Sequence, residues 1–390
     1  MIKVLQISKY YYPFIGGIEQ VARDISRSLD RNIFQQKIIC FNEDSRAEGY
    51  ECHRKQTVHD FVDGVEVIRC GYSVKISSQS LSASYGRELQ KLMDGFRPDI
   101  VILHYPNPFV TRLLLKYKDR DFRLMVYWHL DITKQRFLKC FFVRQNRALI
   151  DRACVIAGAT PVHLETSEYS SHFSGKKHIL PYMIDEGALI PTPEEKQKAG
   201  EIRKAAGSKV IGFFIGRHVP YKGLRYLIEA SEKMGDEDIH FFIAGEGELT
   251  DKLKALAGND RKIEFVGRIS DSEKRAYLCA SDIICFPSVT RNEAFGLALA
   301  EGMYSGKPAV TFNIKGSGVN YVSLDGVTGI ECPCGDSEAY AGALKKLCSD
   351  SALRSEYGKN ARRRVLENFT PESFRKNINS LLREIMRDDR

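Results

Sequence analysis

The sequence predicts an α/β protein made of two Rossmann-like, doubly wound domains that face each other across a cleft. Three observations support this fold class. Short apolar runs alternate with helix-like segments, which is the pattern of βαβ units. Several of these runs are apolar on both faces, as a buried parallel sheet requires. The alternation occurs twice, once on each side of a polar segment at residues 191–209 that opens with two prolines.

Each half of the chain contains six strand-like runs. In the first half they are KVLQIS, QQKIICF, VEVIRC, DIVILH, RLMVYWH and ACVIAGAT, and in the second half they are VIGFFIG, HFFIAGEG, IEFVG, DIICFPS, PAVTFN and TGIEC. We place the domain boundary near residue 190, which gives domains of residues 1–190 and 191–370. Ligands of doubly wound sheets bind beyond the carboxyl ends of the strands. The cleft between the domains is therefore the expected site.

Composition narrows the class of protein. The chain has 390 residues, 43% of them hydrophobic, which is enough for two cores. No apolar run reaches the ~18 residues of a spanning helix, and the first residues lack the apolar region of a signal peptide, so we expect a cytoplasmic protein. The ten cysteines are scattered, and the pair Cys332 and Cys334 lacks a second pair for zinc. The net charge of +8 permits an acidic ligand or an anionic membrane surface, and we expect no nucleic acid partner.

In the first domain, Gly16 and Gly17 lie between the first strand and a helix. Glycines there let backbone N–H groups approach an anion, although the pair also fits an ordinary βα turn. His129, in YWHLDITKQ, follows a strand at the expected ligand edge. It is a candidate acid, base or hydrogen-bond donor, or a buried histidine satisfied by the backbone. His104, at the end of DIVILH, has the same position with less support.

In the second domain, FFIGRHVPYKG places Gly216, Arg217 and Lys222 between a strand and a helix. Two cations near a helix N-terminus oppose the helix dipole unless an anion is present, so this motif suits a diphosphate. The alternative is that both cations are ordinary solvated surface residues.

The stretch RNEAFGLALAEGM contains two carboxylates, Glu293 and Glu301, at E-x7-E spacing. The stretch turns from a strand into a helix, with Glu293 at the entry and Glu301 about a turn and a half further, roughly 8–9 Å along the axis. Each could then accept hydrogen bonds from a different diol. The N–H groups of Phe295, Gly296 and Leu297 could face an anion between them, which is the layout of a nucleotide sugar. The alternative is a dipole-favoured Glu293 and a solvated Glu301.

Together, these motifs resemble the family 4 glycosyltransferases, retaining enzymes with the two-domain GT-B fold. The similar motifs are Gly16-Gly17 with Glu19, GRHVPYKG, E-x7-E, SGKPAVTF and DGVTGIECPCGD, in the same order over nearly the whole chain. The stretches WHLDITKQ and GSGVNYVSLDGVTG look like a bacterial polysaccharide and lipopolysaccharide subgroup, in which mannose or a related GDP-linked sugar is common. GSGVNY departs from the commoner Gly-Gly…Glu-x-Ile form of that loop.

The resemblance implies a metal-independent, retaining transfer of a hexose from a nucleotide-diphosphate sugar. It favours a GDP-mannose-like donor, allows a UDP-sugar, and implies a glycan or lipid-linked acceptor in cell-surface polysaccharide biosynthesis. The first domain would bind the acceptor and include residues 371–390 as a returning helix, and the second would bind the donor. No cofactor or metal is expected.

The resemblance also implies roles for individual residues. Arg217 and Lys222 would neutralise the leaving diphosphate, Glu301 would accept ribose hydroxyls, and Glu293 and His129 would contact the reacting sugar. The implied catalytic residues are His129, Glu293, Arg217 and Lys222. The implied donor-binding residues are Gly16, Gly17, Glu19, Gly216, Arg217, Lys222, Glu293, Ala294, Phe295, Gly296, Leu297 and Glu301.

Other readings stay open on the sequence alone. A non-catalytic sugar-nucleotide-binding protein, or a two-Rossmann epimerase or phosphorylase, would have the same general pattern. The basic segment 134–152 contains several large apolar side chains and either contacts an anionic membrane or packs on its own domain. The acidic run 236–238 precedes a strand, so we expect it on the edge away from the ligand and assign it no metal.

Overall fold

A computed structural model of the chain describes residues 1–14, 16–43, 54–76, 79–132, 139–207, 209–235 and 238–387. The chain divides into two compact units, one formed by Met1–Pro181 with Glu372–Arg390 and the other by Tyr182–Pro371. The sequence predicted a division near residue 190. The structure groups residues 182–190 with the second unit, where the Ile184 N–H donates to the Phe369 carbonyl at 2.9 Å.

The first unit contains an eight-stranded sheet with the strand order β10-β9-β8-β7-β1-β2-β4-β3. All neighbouring pairs are parallel except β3 and β4, which are antiparallel, and β5 pairs with β6 in a separate antiparallel ribbon. The strands are β1 (Ile2–Ile7), β2 (Phe34–Phe41), β3 (Val58–Val62), β4 (Val65–Cys70), β5 (Val74–Ile76), β6 (Gln79–Leu81), β7 (Ile100–Tyr105), β8 (Arg123–Trp128), β9 (Val155–Gly158) and β10 (Lys177–Ile179).

Helices connect these strands. They are α1 (Gly17–Ser28), α2 (Ala83–Lys91) with a π turn at Leu92–Phe96, α3 (Pro108–Leu114) with a 3-10 turn at Leu115–Tyr117, α4 (Lys139–Arg152), α5 (Pro161–Glu165) and a 3-10 turn at Ser170–Phe173. The last helix of the chain, α14 (Pro371–Arg387), also packs on this unit. Its Asn379 amide accepts from the Asp30 N–H at 2.9 Å and donates to the Ser28 carbonyl at 2.8 Å, which fastens α14 to the end of α1.

The central strands of the first sheet are buried on both faces. Every residue of β7 is buried, and so are the last four of β1. One face carries a large, aromatic-rich core that includes Tyr105 and Trp128. The other face carries a smaller cluster against α1 that includes Ala22, Ile38 and Val67. Burial on both faces explains why these strands read as continuous apolar runs.

The second unit contains a six-stranded parallel sheet with the order β13-β12-β11-β14-β15-β16. Its strands are β11 (Val210–Ile215), β12 (Ile239–Ala244), β13 (Ile263–Gly267), β14 (Ile283–Phe286), β15 (Ala309–Phe312) and β16 (Gly329–Cys332). Its helices are α6 (Pro193–Ala206), α7 (Leu224–Lys233), α8 (Thr250–Ala257), α9 (Asp271–Ala280), α10 (Leu297–Tyr304), α11 (Val319–Val322), α12 (Ser337–Ser349) and α13 (Ser351–Asn368), with 3-10 turns at Gly187–Leu189 and Pro220–Lys222.

The predicted α/β fold class is confirmed, since each unit is a Rossmann-like sheet flanked by helices. All twelve predicted strand runs lie in strands of these two sheets. The short or edge strands β3, β5, β6 and β10 were not predicted from the sequence. Among the residues that the structure describes, no helix combines the length and the apolar content needed to cross a bilayer.

Candidate active site

Lys222 and Glu293 form a buried ion pair in the second unit. Lys222 ends the 3-10 turn after β11, and Glu293 lies in the loop after β14, the strand next to β11 in the sheet. The lysine Nζ lies 2.5 Å from Glu293 Oε2, and each residue is 9% exposed. The Ser288 hydroxyl also donates to Glu293 Oε2, at 3.2 Å. These contacts fix a cation and a carboxylate side by side at the carboxyl-terminal edge of the sheet.

Two glycines allow the two loops to meet. Gly223 has φ +63°, and a Cβ atom there would lie 2.0 Å from the Pro287 carbonyl oxygen. Gly296, just before α10, has φ +87°, a left-handed conformation that side chains with a Cβ rarely adopt. The Val289 N–H donates to the Tyr221 carbonyl at 2.9 Å, which joins the loops directly. Glycine at both positions is therefore required by close backbone packing and backbone conformation.

A third loop holds the backbone of Glu293. The Ser317 hydroxyl donates to the Glu293 carbonyl oxygen at 2.5 Å and accepts from the Val319 N–H at 3.3 Å. Ser317 belongs to GSGVNY, the segment that departs from the commoner family form. In the same loop, Asn320 accepts from the Ile314 N–H at 3.0 Å and donates to the Phe312 carbonyl at 3.0 Å. This loop therefore supports the position of Glu293.

Arg217 presents an exposed guanidinium in the loop that begins at Gly216. Its Nη2 lies 3.4 Å from the Tyr221 hydroxyl. Within the described part of the chain, no carboxylate forms an ion pair with Arg217. Lys222, by contrast, is paired and lies over the rings of Tyr221 and Phe286 at 5.4 and 5.1 Å. Of the two predicted cations, Arg217 is thus the one whose charge is directly open to an anion.

Glu301 forms an ion pair within the second unit. It lies on α10, and its Oε1 is 3.1 Å from Lys274 Nζ on α9. Burial raises the pKa of Glu301, and Lys274 opposes that rise. Burial alone would lower the pKa of Lys274, but Glu301 and Asp271 together raise it. Burial therefore disfavours the ionised form of Glu301, and Lys274 favours it.

The helix does not carry both glutamates. It begins at Leu297, so Glu301 lies within the helix and Glu293 lies in the loop that enters it. The first hydrogen bond of α10 is donated by the Ala300 N–H to the Gly296 carbonyl. The N–H groups of Leu297 and the next residues are the first donors of the helix, which have no partner within the helix itself. They lie between the two carboxylates in sequence.

The Phe295 side chain anchors this loop to the core of the second unit. Its ring is buried and packs against Tyr182 and Phe369, with centroids 5.3 and 5.2 Å away. Ala294 and Leu297 on either side are only partly buried. The side chain of Phe295 therefore serves the core, and any ligand contact from this segment must come from its backbone or its neighbours.

In the first unit, Gly16 and Gly17 lie at the start of α1. Gly16 is the N-cap, and a Cβ there would lie 2.2 Å from Glu19 Oε2, because the Glu19 carboxylate folds back over the helix start. Burial raises the pKa of Glu19. A Cβ at Gly17 would meet no atom of the described residues within 4 Å. Packing thus explains why residue 16 is a glycine, but it does not explain the glycine at residue 17.

His129 is buried directly after β8. Its Nε2 lies 2.9 Å from His104 Nδ1, and its backbone N–H donates to the Tyr105 carbonyl at 3.1 Å. Burial lowers the pKa of His129 well below its usual value. The structure therefore brings together His129 and His104, which the sequence analysis treated as separate candidates.

Asp131 has a structural role near His129. Its carboxylate accepts from Trp128 Nε1 and the Ser167 hydroxyl, both at 2.8 Å, and from the Glu168 N–H at 3.0 Å. These bonds anchor the chain that leaves β8. Within the basic segment 134–152, residues 139–152 form α4, while residues 133–138 lie outside the described residues. Residues 236 and 237 of the acidic run also lie outside them.

Sequence reasoning missed Lys274, Ser288, Ser317 and Gln6 as parts of these arrangements. Each is a common residue type, and of the four only Ser317 lies in a segment, GSGVNY, that was singled out from the sequence. The available signal was position alone, because Ser288, Ser317 and Gln6 lie at or just beyond the carboxyl ends of β14, β15 and β1. Lys274 lies in the first turn of α9, where a cation opposes the helix dipole unless a carboxylate such as Glu301 is near.

The chain has two Rossmann-like units. At the edge of its sheet, the second unit carries a paired lysine and glutamate, an exposed arginine and the N-terminus of a helix. Such a set of groups is suited to binding an anionic ligand. Residues 195–364 match the family model described as Glycosyl transferases group 1, and residues 15–160 match the model Glycosyltransferase Family 4. A phosphatidyl-myo-inositol mannosyltransferase of Mycobacterium leprae is 34% identical over 280 residues, 70% of each chain. The chain belongs to these glycosyltransferases.

Other relatives match over more of the chain. An O-antigen chain mannosyltransferase C of Escherichia coli is 28% identical over 377 residues, 95% of each chain. The D-rhamnosyltransferase WbpZ of Pseudomonas aeruginosa is 29% identical over 375 residues, 95% of this chain and 92% of its own.

Solved structures support the GT-B fold. A glycosyltransferase from Rickettsia africae ESF-5 aligns with a TM-score of 0.77 at 19% identity, over 100% of this chain and 99% of its own. Anabaena Alr3699/HepE in complex with UDP aligns with a TM-score of 0.74 at 15% identity, over 98% of this chain and 100% of its own.

Proposed function

We propose that this glycosyltransferase is a retaining, metal-independent hexosyltransferase. Its donor is a nucleotide-diphosphate sugar, with a GDP-mannose-like donor favoured over a UDP-sugar. Its acceptor is a glycan or a lipid-linked saccharide in the biosynthesis of a cell-surface polysaccharide. In this proposal the second unit binds the donor and the first unit binds the acceptor.

The observation that carries the proposal is the Lys222–Glu293 pair beside the open Arg217. Burying an ion pair is costly, and apolar residues of similar volume often serve stability as well or better. A pair retained at a ligand edge therefore suggests a function. Arg217 would bind the diphosphate first, and Lys222 would add a second cation from its fixed position. Glu293 would accept a hydrogen bond from a hydroxyl of the donor sugar through Oε1, since Oε2 is occupied.

The charge arrangement suits the reaction. Negative charge grows on the leaving diphosphate as the sugar departs, and fixed cations and helix N–H groups stabilise that charge. Arg217, Lys222 and the N-terminus of α10 supply these groups without a bound metal in our proposal. Glu301, held by Lys274, would accept the ribose hydroxyls through its other carboxylate oxygen.

The donor sugar is proposed from the relatives. The Escherichia coli and Mycobacterium leprae relatives are named as mannosyltransferases, and the Pseudomonas aeruginosa relative is named as a D-rhamnosyltransferase. These names favour mannose or a related hexose. The Anabaena structure holds UDP, which keeps a UDP-sugar as the second choice. The polysaccharide context rests on the name O-antigen chain mannosyltransferase.

The place of action is also part of the proposal. We propose that the protein works in the cytoplasm and contacts the inner face of the cell membrane peripherally when its acceptor is lipid-linked. The mixture of basic and apolar residues in 134–152 supports this contact. Flotation with anionic vesicles checks it, and a protein that stays unbound at low salt would contradict it.

The first experiment is a thermal-shift panel with GDP, UDP, ADP and TDP and their common sugar conjugates, in the presence of a chelator. A ligand at 100-fold excess over its dissociation constant stabilises the folded state by about 2.7 kcal/mol. We expect one nucleobase to stand out, with the shift lost in Arg217→Ala and in Glu301→Ala. Lys233→Met, which breaks the exposed Lys233–Glu338 pair of the same unit, is the matched control and should keep the shift.

Two further measurements separate the proposed reaction from binding alone. A transferase should cleave its donor slowly in the absence of acceptor, whereas a non-catalytic sugar-nucleotide-binding protein should return it intact. When an acceptor is found, NMR of the product should show the same anomeric configuration as the donor. An inverted product would overturn the retaining part of the proposal.

A further inference from the structure

Three buried polar side chains form a row across adjacent central strands of the first sheet. Gln6 lies on β1, His104 on β7, and His129 directly follows β8. Gln6 is level with Ile102, two residues before His104, and His104 is level with Tyr127, two residues before His129. Because side chains alternate along a strand, all three project from the same face of the sheet.

The row is continuous. Gln6 Oε1 lies 2.7 Å from His104 Nε2, and His104 Nδ1 lies 2.9 Å from His129 Nε2. The two imidazole rings are nearly parallel, with an angle of 15° and centroids 5.2 Å apart. All three residues are at most 2% exposed. Buried polar groups destabilise a fold unless they are paired, so packing alone would favour apolar side chains here.

The protonation of the row follows from its partners. Burial lowers the pKa of His104 to about 3 and that of His129 well below its usual value, so both rings are neutral near pH 7. A neutral imidazole has one donor and one acceptor nitrogen. The Gln6 oxygen only accepts, so His104 carries its proton on Nε2 and accepts at Nδ1. His129 must then donate from Nε2. The titratable groups that influence His129 are His104 and His163.

We propose that Gln6 and His104 are positioning residues that hold the His129 ring and fix its proton on Nε2. His129 then acts on the donor sugar as a neutral hydrogen-bonding group and not as a general acid. The inference rests on the proposed function only for the ligand of His129. The orientation and the protonation of the ring are properties of the free protein and are tested there.

The primary test is NMR of the full chain with 15N-labelled histidine side chains, which distinguishes Nε2–H from Nδ1–H imidazole and both from imidazolium. We expect His104 and His129 to be neutral Nε2–H tautomers that do not titrate between about pH 5 and about pH 8, where ordinary histidines do. His129→Phe and His104→Phe assign the two signals. His178→Phe, at the far edge strand β10 of the same sheet, is the matched control.

Variants of Gln6 provide a second test. Gln6→Glu keeps an acceptor beside His104 and should preserve the Nε2–H tautomer of His129. Gln6→Leu removes the acceptor and should give a mixture of tautomers. In donor cleavage, His104→Phe and Gln6→Leu should each lower kcat about ten-fold, the usual effect of one lost buried hydrogen bond, with Gln6→Glu closer to wild type. The dissociation constant of the nucleotide should change less than about two-fold, since a nucleotide without sugar does not need His129.

A wild-type His129 in the Nδ1–H form, or one that titrates in this range, overturns the inference. So does an unchanged kcat in both His104→Phe and Gln6→Leu. If the wild type cleaves no donor but shows the expected tautomers, the proposed function fails while the positioning stands. If His104→Phe does not fold, the wild-type spectra and the Gln6 variants still decide the question.

Discussion

Lys222 Nζ and Glu293 Oε2 lie 2.5 Å apart, although their residues are 71 positions apart in the chain. The pair joins the loops that follow two adjacent strands, β11 and β14, and both side chains are nearly buried. The cation proposed for the diphosphate and the carboxylate proposed for the sugar are therefore one electrostatic unit. A change to either residue should affect the other.

Removing one member of the pair should destabilise the second unit. Lys222→Met leaves the Glu293 carboxylate buried without its cation, which we expect to lower the free energy of unfolding by about 3 kcal/mol. The double variant Lys222→Met with Glu293→Leu should recover much of that loss, because no buried charge remains. Urea denaturation of the three proteins gives the comparison.

The control for this prediction is Lys233→Met. Lys233 and Glu338 form an exposed ion pair in the same unit, with side chains 40% and 78% exposed. We expect a change of less than about 0.5 kcal/mol, as is usual for surface pairs. Equal losses in Lys222→Met and Lys233→Met would show that the Lys222–Glu293 contact is not a buried pair in solution.

Removing Lys274 should make nucleotide binding sensitive to acid. Burial raises the folded-state pKa of Glu301 above its ordinary 4.5, so the stability contributed by its protonated form is present below that pH and lost as the pH rises through the folded pKa. Nucleotide binding should have the opposite pH dependence and strengthen as the pH rises, because the ionised carboxylate is the better hydrogen-bond acceptor. Lys274→Met removes the opposing cation and raises this pKa further. Calorimetric titration from about pH 5 to about pH 8 should show that, as the pH is lowered, the nucleotide affinity of the variant begins to fall at a higher pH than that of the wild type.

Lys262→Met is the matched control for Lys274. Lys262 also forms a partly buried ion pair, with Asp260 at 3.2 Å, but it lies just before β13, at the amino-terminal edge of the sheet. The pH profile of nucleotide binding by Lys262→Met should follow that of the wild type. A Lys274→Met profile that coincides with the wild-type profile would show that Glu301 does not bind the nucleotide in its ionised form.

Gly17→Ala should separate packing from ligand contact. A Cβ at Gly17 meets nothing in the described residues, so stability should stay within about 1 kcal/mol of wild type or rise slightly. We expect donor cleavage to fall at least about ten-fold, since a Cβ at a helix N-terminus blocks the approach of an anion. Gly16→Ala should instead destabilise the protein, because its Cβ would displace the Glu19 carboxylate. Wild-type activity in Gly17→Ala would remove this residue from the site.

Neutralising Arg217 should slow the reaction without unfolding the protein. Arg217 is exposed and has no ion pair among the described residues, so Arg217→Met should leave the unfolding midpoint nearly unchanged. We expect kcat to fall about 100-fold, the usual effect of losing one stabilising group at a leaving anion. Tyr221→Phe removes the one hydrogen-bond partner that the Arg217 guanidinium has among the described residues and is the control, with a loss below about five-fold. Equal rates in Arg217→Met and wild type would exclude the proposed role.

The sequence predicted the central strands and the residues at their ends better than it predicted contacts. Buried parallel strands such as β7 and β11 are continuous apolar runs, so a local pattern identifies them. The edge strand β3, VHDFV, alternates between partly buried and exposed residues, with only its last residue buried, and lies outside that pattern. The short strands β5 and β6 have three residues each, too few for any periodicity.

The pairing of site residues depended on strand order, which no local pattern encodes. Lys222 meets Glu293 because β14, and not β13, lies beside β11. Glu301 meets Lys274 because α9 and α10 come together in the fold. The residue at which α10 begins was also not predicted, because it depends on the left-handed Gly296, which places the start at Leu297 and leaves Glu293 in a loop. His129 and His104 were each identified by position, but their contact required the register of β7 and β8.

The most direct test of the account is release of nucleoside diphosphate from a panel of nucleotide sugars, with a chelator and no acceptor. We predict slow release from one donor class, with GDP-mannose favoured, and at least about 100-fold less from the Lys222→Met, Glu293→Leu double variant. Release that needs added metal, release that the double variant retains, or no release from any donor by a folded wild-type protein would contradict it.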